Sequence, residues 1–148
     1  MKRAAKIKQL QEKFTTTEIF CPHVVDKFGE GAWQFVSNEF VDMLHYFRFA
    51  LFKSPIIINQ PRRGRVQRGV RCNLCPITKA YTARNEAYLT AHALDGCDMD
   101  VQGVSAVQAR KIITENAKEL PHPIRLKRNV NYVHWDKRNY TGRKISWF

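Results

Sequence analysis

The residue types that can do chemistry concentrate in two stretches, Thr90-Ala91-His92-Ala93-Leu94-Asp95-Gly96-Cys97-Asp98-Met99-Asp100 and Asn131-Tyr132-Val133-His134-Trp135-Asp136. Between them they offer two imidazoles and a carboxylate. That is the ligand set of an open catalytic zinc site, in which three protein ligands leave a fourth position for water. Zinc in such a site brings the pKa of that water towards neutrality and polarises the carbonyl under attack. His92 sits close to a glycine and several acids, just before a strand. His134 falls within a strand, and the two-residue period puts it on one face with Tyr132 and Asp136. Singly, each histidine also suits a structural role. The chemistry requires the two stretches to meet in space.

The surrounding pattern shows which elements must bring them together. Residues 3 to 13 are polar and helix-prone, and read as a helix or a frayed basic arm. Phe14 to Phe20 reads as a short strand or as a turn capped by Thr17. From Ala32 to Phe52, Phe35, Val36, Phe40, Val41, Leu44, Phe47, Leu51 and Phe52 recur at helical spacing until Lys53-Ser54-Pro55, which predicts one long amphipathic helix. His45 within it reads as a partly exposed helix residue. The β-branched run Ile56-Ile57-Ile58 predicts a buried strand. Gln60 to Arg84, with six arginines, two glycines and two prolines among its residues, reads as a long loop of the kind that carries function. Cys97 to Val101 is a second strand candidate. Ser105 to Leu120 is a helix capped by Ser105 and stopped by Pro121. Residues 124 to 135 suggest a hairpin turning near Arg128-Asn129. The basic tail carries Tyr140, Trp147 and Phe148. This order predicts an α+β fold with a small, mostly antiparallel sheet and helices packed on one side. The chain reads as a basic arm or helix over residues 1–13 and a single domain over 14–148.

With 148 residues the chain is long enough to bury a core without staples. Its 25 Lys and Arg against 13 acids give a net charge of +12, which attracts polyanions such as nucleic acid, acidic membrane or the anionic polymers of a bacterial wall. No apolar run approaches the roughly 18 residues of a membrane span. The positive start Met1-Lys2-Arg3 lacks the apolar segment of a signal peptide, so synthesis in a cytoplasm is expected. Among the cysteines, Cys72-Asn73-Leu74-Cys75 has the spacing of half a structural zinc site. Cys21 and Cys97 stand alone and no second such pair exists, so ordinary thiols are the expectation.

The two chemical stretches resemble the zinc D-alanyl-D-alanine carboxypeptidases and their phage relatives, the L-alanyl-D-glutamate endolysins. That family's pattern is S-x-H-x-x-G-x-A-x-D, followed after a helix by W-x-H-x-D. The matching residues are Thr90-Ala91-His92, Gly96-Cys97-Asp98-Met99-Asp100 and Tyr132-Val133-His134-Trp135-Asp136. The Arg68-Gly69-Val70-Arg71 element and the Val101-Gln102-Gly103-Val104-Ser105 entry to the next helix look like the phage-type members as well. The resemblance covers roughly residues 14 to 148. It implies a hedgehog/D-Ala-D-Ala-peptidase-like fold and zinc held by His92, His134 and one aspartate. Aligning on the glycine points to Asp100, and aligning on the downstream Val-x-Gly points to Asp98. Both lie on one face of a strand, with a slight preference for Asp98. Arg71 would hold a substrate carboxylate, Thr90 would hydrogen-bond substrate or a ligand, and Asp136 would orient the site.

One departure bears on catalysis. Hydrolysis needs a base for the attacking water's proton. Many relatives have an acid where this chain has Asn131, and others have one where it has Lys127. Asp95, or whichever of Asp98 and Asp100 does not bind metal, could replace it, or the zinc hydroxide could suffice for a slow reaction. The leading expectation is a zinc peptidase acting on peptidoglycan stem peptides, as a phage lysis enzyme or a virion-borne wall hydrolase whose partners are the wall and other virion proteins. An inactive relative, serving as a phage structural or wall-binding protein, is the alternative. A nucleic-acid binder using the arginine loop and the tail is physically reasonable but leaves the His-Asp-His set unexplained.

Overall fold

The computed structural model of the chain describes residues 1–60, 62, 64, 66–84, 95–139 and 141–148. Among these, six α-helices and five strands form an α+β fold. The helices are α1 (Arg3–Gln11), α2 (Thr16–Ile19), α3 (Pro22–Phe28), α4 (Asn38–His45), α5 (Pro76–Ala83) and α6 (Ala106–Glu115). The strands are β1 (Ile56–Ile57), β2 (Gly96–Val101), β3 (Ile124–Leu126), β4 (Val133–Asp136) and β5 (Ile145–Trp147), ordered β1-β2-β4-β3-β5 across one sheet. The β1–β2, β2–β4 and β4–β3 pairings are antiparallel, and β3–β5 is parallel.

Alternation gives the sheet two different faces. Cys97, Met99, Val101, Ile124, Leu126, Val133 and Trp135 are buried in the main hydrophobic cluster. They share it with Leu10 of α1, Phe40 and Leu44 of α4, and Ala109 and Ile113 of α6. Trp135 anchors the contact, stacked on Phe40 with ring centroids 5.5 Å apart and edge-on to Phe47 at the same separation. The intervening residues Asp98, Asp100, Arg125, His134 and Asp136 therefore line the opposite face.

Local chemistry explains where the elements depart from expectation. The predicted continuous helix over 32–52 is broken. A 3-10 segment (Gly29–Gln34) precedes α4, and the Ser37 side chain accepts a hydrogen bond from the Phe40 N–H at 3.1 Å, starting a new helix there. A π-helical stretch (Tyr46–Leu51) follows, and Lys53, at φ 54, ends the run. Phe14 to Phe20 contains α2 rather than a strand. Thr15, not Thr17, begins it, and the Glu18 carboxylate accepts from the Thr15 N–H at 2.8 Å and from its hydroxyl at 3.0 Å. The long basic loop contains α5, which Pro76 opens in the first-turn position that tolerates proline. The predicted 105–120 helix is divided at Asn116 into α6 and a 3-10 turn (Ala117–Glu119). Its start follows expectation, with Ser105 accepting from the Gln108 N–H at 3.2 Å.

The N-terminal segment packs as a helix. Arg3 donates to the carbonyls of Trp33 at 3.0 Å and Val36 at 2.8 Å, and Lys6 reaches Asp42 at 2.7 Å. The hairpin reverses through Asn129, at φ 55. Among the described residues, no helix is long and apolar enough to cross a membrane.

Candidate functional site

Two clusters of potential ligands emerge, one on the polar face of the sheet and one in the loops. On the sheet, Asp98 and His134 are Cα partners across β2 and β4. His134 Nδ1 lies 2.7 Å from Asp98 Oδ1, and His134 Nε2 lies 3.0 Å from Asp136 Oδ2. Asp136 is fully buried. Arg125, its partner across β3 and β4, grips it bidentately at 3.0 and 2.9 Å, and the Arg138 N–H donates to it at 2.8 Å. Gly96 makes this approach possible, because a Cβ there would lie 2.6 Å from both Asp136 Cβ and the Trp135 carbonyl.

These contacts set the charges. Burial disfavours the imidazolium, but the Asp136 and Asp98 carboxylates outweigh it and raise the His134 pKa above the ordinary imidazole value. Burial also works against the Asp136 anion. Hydrogen bonds from His134, Arg125 and the Arg138 N–H overcome it and hold that carboxyl well below the usual range. Both ring nitrogens face carboxylates and donate to them; with a metal at Nδ1, Asp136 would still accept from Nε2–H, the arrangement that accompanies metal-bound imidazole. Nδ1 faces Asp98, so a cation there would replace the proton the pair otherwise shares. Imidazole and carboxylate are residue types that zinc accepts. Thr90 and His92, the other expected members of this site, lie outside the described residues.

The remaining candidates separate. Asp100 is held by Arg68, Nη1 to Oδ2 at 2.8 Å, rather than by His134. Arg68 also lies over the Tyr132 ring at 5.6 Å, and its carbonyl accepts from the Asp98 N–H at 2.8 Å. Arg68 is therefore the loop arginine brought to the acidic face. Arg71 lines an apolar depression with Phe20, Val24, Phe28 and Phe35, beside Cys72. Asn131 is exposed and borders a cavity of about 520 Å³ with Asp100, Gln102 and Ser105. Asp95, considered as a base, is paired with Lys137 at 3.1 Å. The Lys127 N–H donates to the His134 carbonyl at 3.2 Å. Two neighbours escaped the sequence reading. Phe148, which directly follows the unforeseen strand β5, meets the His134 ring edge-on at 5.4 Å, with the Arg125 guanidinium 4.0 Å over its face.

The second cluster joins the Cys72-x-x-Cys75 pair to residues that the sequence reading left alone. Cys21, His23, Cys72 and Cys75 bring one potential ligand atom each to within 4.8 Å of one another, and they could hold a metal ion. Cys72-x-x-Cys75 was visible as half a site. The missing half is Cys21-Pro22-His23, where an imidazole stands in place of the second thiol. Cys97 is apart from it, fully buried, with its thiol pKa pushed far up by that burial. No family model, curated protein or solved structure matches the chain.

Proposed function

We propose that the chain is a zinc-dependent peptidase that cleaves stem peptides of bacterial peptidoglycan, in phage lysis or as a virion-borne wall hydrolase. One observation carries this reading. Asp98 and His134, 36 residues apart in sequence, face each other at 2.7 Å on adjacent strands, with Asp136 behind the imidazole. Asp98 and His134 are two of the ligands that the family resemblance implies, and His92 would be the third. When bound, zinc supplies an activated water and a polarised carbonyl.

The protein's own groups do the rest. Asp136, locked by Arg125, holds the His134 ring in its donor orientation. Arg68 draws Asp100 aside and leaves Asp98 as the carboxylate at the imidazole. Arg68, rather than the Arg71 that the resemblance implies, is the arginine at the acidic face and would anchor a substrate carboxylate. The net charge of +12 would keep the enzyme on an anionic wall. Proton removal is the weak step. Neither Asn131 nor Lys127 is a carboxylate, and Asp95 and Asp100 are engaged by Lys137 and Arg68. We expect slow turnover, raised by Asn131→Asp.

The test is digestion of purified peptidoglycan with fragments read by mass spectrometry. Wild type should release peptide fragments, Asn131→Asp should release more, and His134→Ala none. Equal release by wild type and His134→Ala would overturn the reading. The exposed Asn131 favours a second one, an inactive wall-binding relative. Bound zinc at His134 with no release by wild type would select it.

A further inference from the structure

Cys21, His23, Cys72 and Cys75 lie on two segments that the backbone holds side by side. Phe20 and Val70 form a parallel bridge, the Val70 N–H donates to the Ile19 carbonyl at 2.7 Å, and the Cys21 N–H donates to the Val70 carbonyl at 2.9 Å. Gly69 permits this contact, since a Cβ there would lie 2.1 Å from the Ile19 carbonyl oxygen. Cys21 caps α3, whose second residue is His23, and Cys75 caps α5, so the ligands gather at the starts of the two helices.

Three of those atoms are spaced as in a coordination polyhedron, and Cys21 Sγ lies within 4.8 Å of each. Cys72 Sγ lies 4.0 Å from Cys75 Sγ, and His23 Nδ1 lies 3.6 Å from Cys72 Sγ and 3.9 Å from Cys75 Sγ. Zinc bond lengths of about 2.3 Å to sulfur and 2.0–2.1 Å to nitrogen give tetrahedral edges of about 3.8 Å between sulfurs and about 3.6 Å from sulfur to nitrogen. Three thiolates and an imidazole suit zinc and reject magnesium and calcium, which take oxygen. Four protein ligands close the sphere, as in structural rather than catalytic sites.

The loop needs such a fastening. Among the described residues from 60 to 84, only Gly69, Val70 and Cys75 are buried, and α5 buries none of its side chains. Hydrophobic packing gives this segment little hold.

We propose that Cys21, His23, Cys72 and Cys75 bind one Zn2+ as a structural centre that fastens residues 66–84 to the start of α3. Binding releases the three thiol protons to solvent and leaves the imidazole neutral. This site stands independently of the peptidase reading.

The experiment uses the full chain, purified under reducing conditions, with zinc measured by elemental mass spectrometry and Co2+ then loaded in place of zinc. Thiolate-to-cobalt charge-transfer absorption in the near ultraviolet is expected in wild type and in His134→Ala, because the sheet cluster has no thiolate ligand. The band should vanish in Cys72→Ser/Cys75→Ser, and His23→Cys, at an exposed position, should retain it. Chelation should speed tryptic cleavage at Arg71, Lys79 and Arg84 on the order of tenfold or more. A wild type without the band, or a band that survives loss of both cysteines, would overturn the site. Cleavage at the same rate with and without zinc would overturn its fastening role. If the double variant fails to fold, the band in wild type and His134→Ala still decides. Equal zinc in wild type and His134→Ala, with the band present, would sink the sheet site and leave this one standing.

Discussion

The two clusters are built in opposite ways. On the sheet, the positions of Asp98, His134, Asp136 and Arg125 follow from strand register, and a network of buried ionic hydrogen bonds already holds the side chains in place. At the cysteine cluster, the ligands come from the start of α3 and the segment leading into α5, and the described residues of 60–84, which carry two of them, contribute almost nothing to the core. A cation at the first would enter a scaffold that stands without it. A cation at the second would be part of what holds the scaffold. The difference predicts that the cluster built on register keeps its shape with or without a metal, whereas the one built on a loop loosens when a metal is withheld.

The largest expected effect comes from breaking the sheet network. Arg125→Met leaves the fully buried Asp136 carboxylate without its guanidinium, and removing one partner of a buried pair costs about 3–5 kcal/mol. Urea denaturation monitored by tryptophan fluorescence should show it. Metal affinity at His134 should fall by about 10- to 100-fold as Asp136 loses its orientation. The near-ultraviolet cobalt band should be unchanged under conditions where the variant is folded. A loss of stability below about 1 kcal/mol would mean that His134 and the Arg138 N–H suffice for Asp136.

Two glycines then separate the regions. Gly96→Ala pushes β2 from β4 at Asp136, and Gly69→Ala pushes the loop from Ile19. Each overpacked contact should cost about 1–3 kcal/mol. Gly96→Ala should deplete metal at His134 and spare the cobalt band, and Gly69→Ala should do the reverse. If both variants lose both metals, the centres are coupled and the contrast between them fails.

How far the sequence foretold each region follows from the same difference. Strand faces are written in alternation, so Asp98 and Asp100 on one face, His134 with Asp136, and the reversal near Asn129 were legible. Register was not, because the choice between Asp98 and Asp100 depends on which residue opposes His134 and on Arg68, a loop side chain. The helix break at Ser37 was missed because the apolar spacing runs through it while the capping signal is a single hydroxyl. The cysteine cluster was half legible. Its halves lie 49 to 52 residues apart at the closest atom pairs, and a parallel backbone contact that depends on Gly69 joins them. Cys21-x-His23 was the available signal, since an imidazole commonly replaces one thiolate in such sites. Strand β5 was hidden because its residues look like a basic aromatic tail until pairing with β3 gives them a place.

The smallest expected effect supplies the reference for any acid titration of the two centres. Asp42 on α4 accepts from Lys6 of α1 at 2.7 Å and lies 2.9 Å from His122 Nε2, away from both metal questions. Burial would raise its pKa, but the hydrogen bonds with His122 and Lys6 prevail and hold it below 3.8. A depressed carboxylate stabilises the fold above its unfolded pKa, and that contribution disappears as the pH falls through the folded value. Asp42→Asn should therefore cost no more than about 1 kcal/mol at neutral pH, and its deficit against wild type should shrink towards zero as the pH falls through the folded value. Zinc ligands also give up their metal to protons over acidic pH, so acid-induced loosening conflates the two causes. Thermal melts of wild type and Asp42→Asn, each with zinc and with chelator, separate them. The Asp42 increment should be the same with and without metal, and the remainder should follow the chelator. An Asp42 increment that changes with chelation would tie α1 and α4 to the metal centres and remove the independence on which the comparison rests.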